Sequence, residues 1–183
     1  TADMVDVVVL THMHGDHIGG LMGADGVTPT YPNARYVTGA VEHNAATEAG
    51  DEGFVKNVAP LNDRMTFLDD AGSVTGGITA VAAFGHSPGH MVYNVESDGQ
   101  RLMITADTAN HYVWSLQRPD WEVRFDRDKA AAAATRKAIF GQIAADRIPF
   151  IGYHMPFPGV GFVEAMDGGF RYVPASYQLM LNG

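Results

Sequence analysis

Thr11-His12-Met13-His14-Gly15-Asp16-His17 follows the apolar run Val7-Val8-Val9-Leu10 directly and places three histidines and an aspartate within six residues. The apolar run reads as a strand, Val5 to Leu10, and the polar segment as its exit loop. In an extended chain, side chains two apart share a face, so His12 and His14 can converge on one cation. Gly15 permits a sharp turn, which aims Asp16 and His17 at a second position. A single loop thus offers ligands to two metals, and histidine is the commonest metal ligand.

Three later strands end in the same way. Ile78 to Phe84 runs into Gly85-His86-Ser87-Pro88-Gly89-His90, a turn built by proline and glycine. Arg101 to Thr105 precedes Asp107, and Pro149 to Gly152 precedes His154. The candidate ligands therefore gather at one sheet edge, where strands fix the backbone and exit loops present side chains. Other strands are expected at Ala34 to Thr38, at Met65 to Leu68, and at Met91 to Val95, which forms a hairpin with Arg101 to Thr105 about Ser97-Asp98-Gly99-Gln100. Phe162 to Glu164 and Phe170 to Val173 flank the turn signal Asp167-Gly168-Gly169. A short helix starts within Ile18 to Met22, and Asp128 to Ala145 is the strongest helix, with Asp126 or Asp128 as its N-cap. Gly39 to Asn57 reads as a helical excursion carrying Glu42, Glu48, Asp51 and Glu52, a solvated lid with His43 on its surface.

Composition narrows the function. At 183 residues and 46% hydrophobic content the chain fits one domain, 1–183, with enough apolar surface for a core. No apolar stretch reaches membrane-span length, so the chain reads as soluble and fit for cytoplasm or periplasm alike. A net charge of −9 excludes nucleic acid as a partner. The absence of cysteine restricts any metal to nitrogen and oxygen ligands, which suit Zn²⁺ and also admit Fe or Mn. Two such cations about 3.5 to 4 Å apart share a water and lower its pKa, giving a bridging hydroxide nucleophile. A small-molecule substrate is the expected partner, with neither nucleic acid nor membrane, and homodimerisation is left open.

These residues resemble the His-x-His-x-Asp-His signature of the metallo-β-lactamase superfamily. Thr11 to Gly20 is similar to its first motif, Gly85 to His90 to its Gly-His-[Ser/Thr]-Pro-Gly-His turn, Ala106-Asp107 to its bridging aspartate, and Gly152-Tyr153-His154 to its last histidine. The resemblance implies an α+β fold, the αββα sandwich. Members carry several strands before the first motif, and Thr1 to Asp6 is too short to supply them, so an N-terminally incomplete sandwich is expected. It further implies that His12, His14 and His90 hold one metal, Asp16, His17 and His154 the other, and that Asp107 bridges both. Asp16 and Asp107 are the implied catalytic residues, Asp16 accepting a proton from the bridging hydroxide. His86 would orient the site, and His111 would donate to a ligand carboxylate.

The bridging Asp107 separates relatives. As the resemblance implies, β-lactamases generally lack it, whereas lactonases, glyoxalase-II-type thioesterases, phosphodiesterases and phosphotriesterases have it. Tyr153-His154-Met155-Pro156-Phe157-Pro158-Gly159 is similar to a segment of the methyl parathion hydrolase group, and Arg118-Pro119-Asp120-Trp121 and Phe125-Asp126 look like the same branch. The expected activity is hydrolysis of esters, lactones or organophosphates, with Trp114, Trp121 and Phe157 lining an apolar pocket. The alternatives are a glyoxalase-II-like thioesterase, a β-lactamase, or an inert metal-binding fragment.

Overall fold

The short β-branched runs of this chain alternate their side chains with period two, and each strand thereby contributes to two different packing layers. In the computed structural model, which describes residues 1–175, β1 (Val7–Val9), β2 (Arg35–Gly39) and β3 (Met65–Leu68) form a parallel three-stranded sheet in that order. The other strands are β4 (Ser73–Thr75), β5 (Ile78–Ala82), β6 (Met91–Ser97), β7 (Gln100–Ala106), β8 (Phe150–Gly152), β9 (Val160–Met166) and β10 (Gly169–Pro174). They build a seven-stranded sheet in the order β10-β9-β8-β7-β6-β5-β4, antiparallel except for the parallel β7-β8 pair. The helices are α1 (Gly15–Ile18), α2 (Ala40–Ala49), α3 (Glu52–Asn57), α4 (Trp114–Gln117) and α5 (Lys129–Asp146). None of those in the described residues is long and apolar enough to cross a membrane.

Three hydrophobic clusters separate four layers. Tyr36 and Leu10 pack outward with Ile18, Phe54, Val58 and Leu61, joining the first sheet to α1 and α3. Val37, Leu68, Ala80, Met91 and Tyr93 fill the space between the sheets. Val92, Met103 and Phe150 pack outward against Ile139, Phe140 and Ile143 of α5 and Leu116 of α4. The alternation is literal: Val37 faces the other sheet and Tyr36 the helices, while Met91 and Tyr93 face inward and Val92 outward. The order helix, sheet, sheet, helix is the expected αββα sandwich.

The departures are local. The excursion over 39–57 is two helices, broken where Gly50 takes a left-handed conformation at φ 63°. It is not a solvated lid, because Glu42 and His43 are buried. His43, expected on the surface, pairs its Nε2 with Asn62 Oδ1 at 2.9 Å and stacks against Phe67. β4, which the sequence reading did not anticipate, is only three residues long; it buries Val74 between the sheets and pairs with β5. Of the two N-cap candidates for α5, Asp128 serves, accepting the Ala131 N–H at 3.0 Å.

Candidate metal centre

β5 and β7 both run antiparallel to β6, and β8 runs parallel to β7, so the carboxyl ends of β5, β7 and β8 meet at one edge. The exit loop of β1 is drawn to that edge by two hydrogen bonds, from Met91 N–H to Thr11 O (2.9 Å) and from Tyr93 Oη to Leu10 O (2.9 Å). Ala106 and His154 adopt left-handed conformations at φ 42° and 61°, turning the chain sharply at the ends of β7 and β8. Such conformations are costly for residues with a Cβ and persist where the surroundings enforce them.

Three imidazoles converge. His12 Nε2 lies 3.1 Å and His86 Nε2 3.0 Å from His14 Nδ1. One proton on His14 cannot satisfy two facing lone pairs, so the arrangement is frustrated as a hydrogen-bond network and suited to a cation. Beside it, Asp107 Oδ2 is 3.4 Å from His86 Nε2 and 3.2 Å from His154 Nε2. His17 Nε2 stands 3.3 Å from Asp107 Oδ1 and 3.5 Å from Asp16 Oδ2. His17 Nε2 and Asp107 Oδ1 are buried, and neither makes an aligned hydrogen bond. Buried polar atoms are rarely left so, and a nitrogen and oxygen set of this kind fits divalent metal. The ligand-type atoms fall into three overlapping groups, His12-His14-His86, His12-His17-Asp107 and Asp16-Asp107-His154.

Electrostatics keeps the donors in ligating form. Burial, then the neighbouring His90 and His17, pushes His12 far below the usual imidazole range, and burial followed by His86 lowers His14. Both rings are therefore neutral, with free lone pairs. Burial alone would raise Asp107, but the His17 imidazole, joined by His12 and His86, overrides it and holds the carboxyl below its ordinary range.

His90, expected as a ligand, stands outside the converging set. It directly precedes β6, is fully enclosed, and its Nε2 accepts the Asp107 N–H at 3.3 Å. Burial, then His86, pushes it down to about 3. His86, expected only to orient the site, turns its Nε2 to the other imidazoles because Asp126 occupies its Nδ1 at 3.0 Å. Asp126 is itself held by Arg136 at 2.8 Å, and Arg136 also donates to Thr108 O (2.9 Å) and Pro119 O (3.0 Å). A partner on Nδ1 fixes a ligand histidine's tautomer and ring orientation. His111 does not reach a ligand carboxylate. Its Nδ1 accepts the N–H groups of Val113 (3.1 Å) and Trp114 (3.2 Å), while Asn110 Nδ2 approaches Asp107 Oδ2 at 3.4 Å.

His14, Asp16, His86, Asp107 and His154 line a cleft of about 480 Å³ with Gly15, Asn110 and Phe125. Trp114, Trp121 and Phe157 do not line it. Trp114 stacks on His111, and Phe157 is 99% exposed. Asn110, Arg136 and Glu42 are the site residues that sequence reasoning passed over, while Phe125 and Asp126 entered it only through their resemblance to the methyl parathion hydrolase group. Of the three passed over, only Arg136 carried a signal, as a charged residue on the inward face of an alanine-rich helix.

Residues 1–149 match the family model of the metallo-beta-lactamase superfamily, and the chain belongs to that superfamily. Among solved structures it is similar to AidC, a dizinc quorum-quenching lactonase in complex with its product, with 26% identity and a TM-score of 0.86 over 97% of this chain and 66% of that one. It is also similar to the hydrolase AbOPH of the beta-lactamase superfamily, at 23% identity and a TM-score of 0.87, again over 97% and 66%. A probable metal-dependent hydrolase from Staphylococcus aureus shares the fold at 22% identity and a TM-score of 0.78, over 96% and 64%. The chain thus spans about two thirds of the length of these structures. No curated protein matches it.

Proposed function

We propose that this chain carries the two-metal centre of a hydrolase acting on lactones and activated esters, with organophosphate esters as the further substrate class. The observation that carries the proposal is the convergence of His12, His14 and His86 beside Asp107, whose buried Oδ1 makes no aligned hydrogen bond. His12, His14 and His86 would hold one cation and Asp16, His17 and His154 the second, with Asp107 reaching both. His86 takes the place that the sequence reading gives to His90. Divalent metal bound there, zinc before iron or manganese, supplies Lewis acidity and lowers the pKa of water.

The chain's own groups do the rest. Asp16, with 58% of its side chain exposed, sits at the rim as a proton acceptor. Phe125 gives the cleft an apolar wall, and its volume suits a small molecule. The similarity to AidC, a lactonase by its description, favours lactones. The resemblance of the Tyr153 to Gly159 segment supports aryl and phosphate esters.

The test assays the zinc-loaded chain in parallel on N-hexanoyl homoserine lactone, p-nitrophenyl acetate and methyl parathion. Chelator-sensitive lactone turnover is expected, falling about 100-fold or more in Asp107→Ala. Turnover of only the aryl or phosphate ester would move the substrate class, and no turnover with zinc fully bound would overturn the hydrolase.

A further inference from the structure

Glu42 is a carboxylate at 3% exposure, and no Lys, Arg or His pairs with it among the described residues. Burying a charge is expensive unless polar groups satisfy it. Here the donors are the backbone N–H of Met13 (2.9 Å), the hydroxyl of Ser87 (2.7 Å) and the backbone N–H of Gly89 (2.8 Å). Met13 lies between His12 and His14, while Ser87 and Gly89 flank the turn that follows His86. One oxygen serves the first loop and the other serves the second.

We infer that Glu42 is a positioning residue for the metal centre, tying the loop of His12 and His14 to the turn of His86. The inference rests on the metal reading above. The two loops leave different sheets, and His14 and His86 are 72 residues apart, so their 3.0 Å approach depends on contacts that cross between the sheets, the bonds from β6 to Leu10 and Thr11 and those to Glu42. Charge-assisted hydrogen bonds are about twice as strong as neutral ones, and Glu42 supplies three of them across this gap. A second feature agrees. A Cβ on Gly89 would collide with the backbone N and Cα of Glu42, so the turn lies directly on the first turn of α2 and no side chain separates them. Glu42 also adds negative potential at His14, where it opposes the lowering of that ring's pKa.

The experiment compares the whole chain as wild type, Glu42→Gln and Ser87→Ala. Zinc affinity is measured by competition with a chromophoric chelator, and melting is followed with and without zinc. Glu42→Gln keeps the shape but turns an amide N–H toward a donor. It is expected to weaken zinc binding about tenfold or more and to shrink the zinc-induced rise in melting temperature. Ser87→Ala, which deletes one donor, shows a smaller loss in the same direction. Equal lowering of both melting temperatures with unchanged zinc affinity would show a merely structural role and overturn the inference. If Glu42→Gln fails to fold, unchanged affinity in Ser87→Ala overturns it and weakened affinity supports it. A wild-type chain that takes up no zinc overturns the metal reading itself, a separate outcome from a zinc-binding wild type matched by its variants.

Discussion

His86 and His90 share one Gly-His-Ser-Pro-Gly-His turn, yet their surroundings assign them opposite work. His86 has Asp126 on one ring nitrogen and His14 facing the other. His90 spends its Nε2 on the Asp107 N–H and leaves Nδ1 buried without a partner. Removing His86 deletes a member of the converging set, whereas removing His90 strands the amide of the residue that anchors both halves of the cleft. His86→Ala is therefore expected to lower zinc affinity about tenfold or more. His90→Ala should retain more zinc affinity and lose roughly 1 to 3 kcal/mol of stability from the unpaired Asp107 N–H. Zinc titration and denaturant melts of the two variants separate these results, and the reverse ranking would return the ligand role to His90.

Among the elements, α5 carries the outer face of the large sheet and begins at a single side-chain cap. Asp128→Ala should cost about 1 kcal/mol in denaturant unfolding and leave zinc affinity unchanged, since its carboxylate caps Ala131, while its link toward the His86 turn, to Gly85 O at 2.9 Å, comes from the backbone N–H and survives the substitution. A change in zinc binding would mean that the helix start and the site are coupled. This helix was legible in the sequence because its alanines and its cap act locally. The strand ends bearing His12, Asp107 and His154 were legible for the same reason, since an apolar run and the polar residue after it are read together. The choice between His86 and His90 was not, because it depends on Asp126 arriving from 40 residues away. Glu42 was also hidden. An acidic residue in an acidic helix looks like a solvated face until the turn of His86 is placed against it. The break of 39–57 into two helices hung on Gly50, which sits mid-segment among good helix formers.

At the scale of the molecule, the buried imidazoles make the metal-free fold sensitive to acid. In the unfolded chain His12 and His90 titrate near 6.5, while in the folded chain burial keeps both lower, His90 down to about 3. Below 6.5 the unfolded state binds protons that the folded state refuses, so stability falls as pH falls. The slope is about 1.4 kcal/mol per pH unit for each histidine kept neutral. Asp107, held below its ordinary value, adds a loss of the same sign at still lower pH. Melting of the metal-free chain should be level above about pH 7 and drop steeply toward pH 5, and a flat profile would contradict neutral buried rings.

The converging residues come from both sheets, four from the loop and short helix α1 that follow β1 in the small sheet, and His86, Asp107 and His154 from beyond the ends of strands in the large one. Neither sheet can hold a cation in this way by itself. Ligand binding to the folded state alone contributes about 4 kcal/mol at a thousandfold excess over the dissociation constant. A cation held there would draw that free energy from both sheets at once, so metal loading is expected to stabilise the sandwich as a whole rather than one sheet of it.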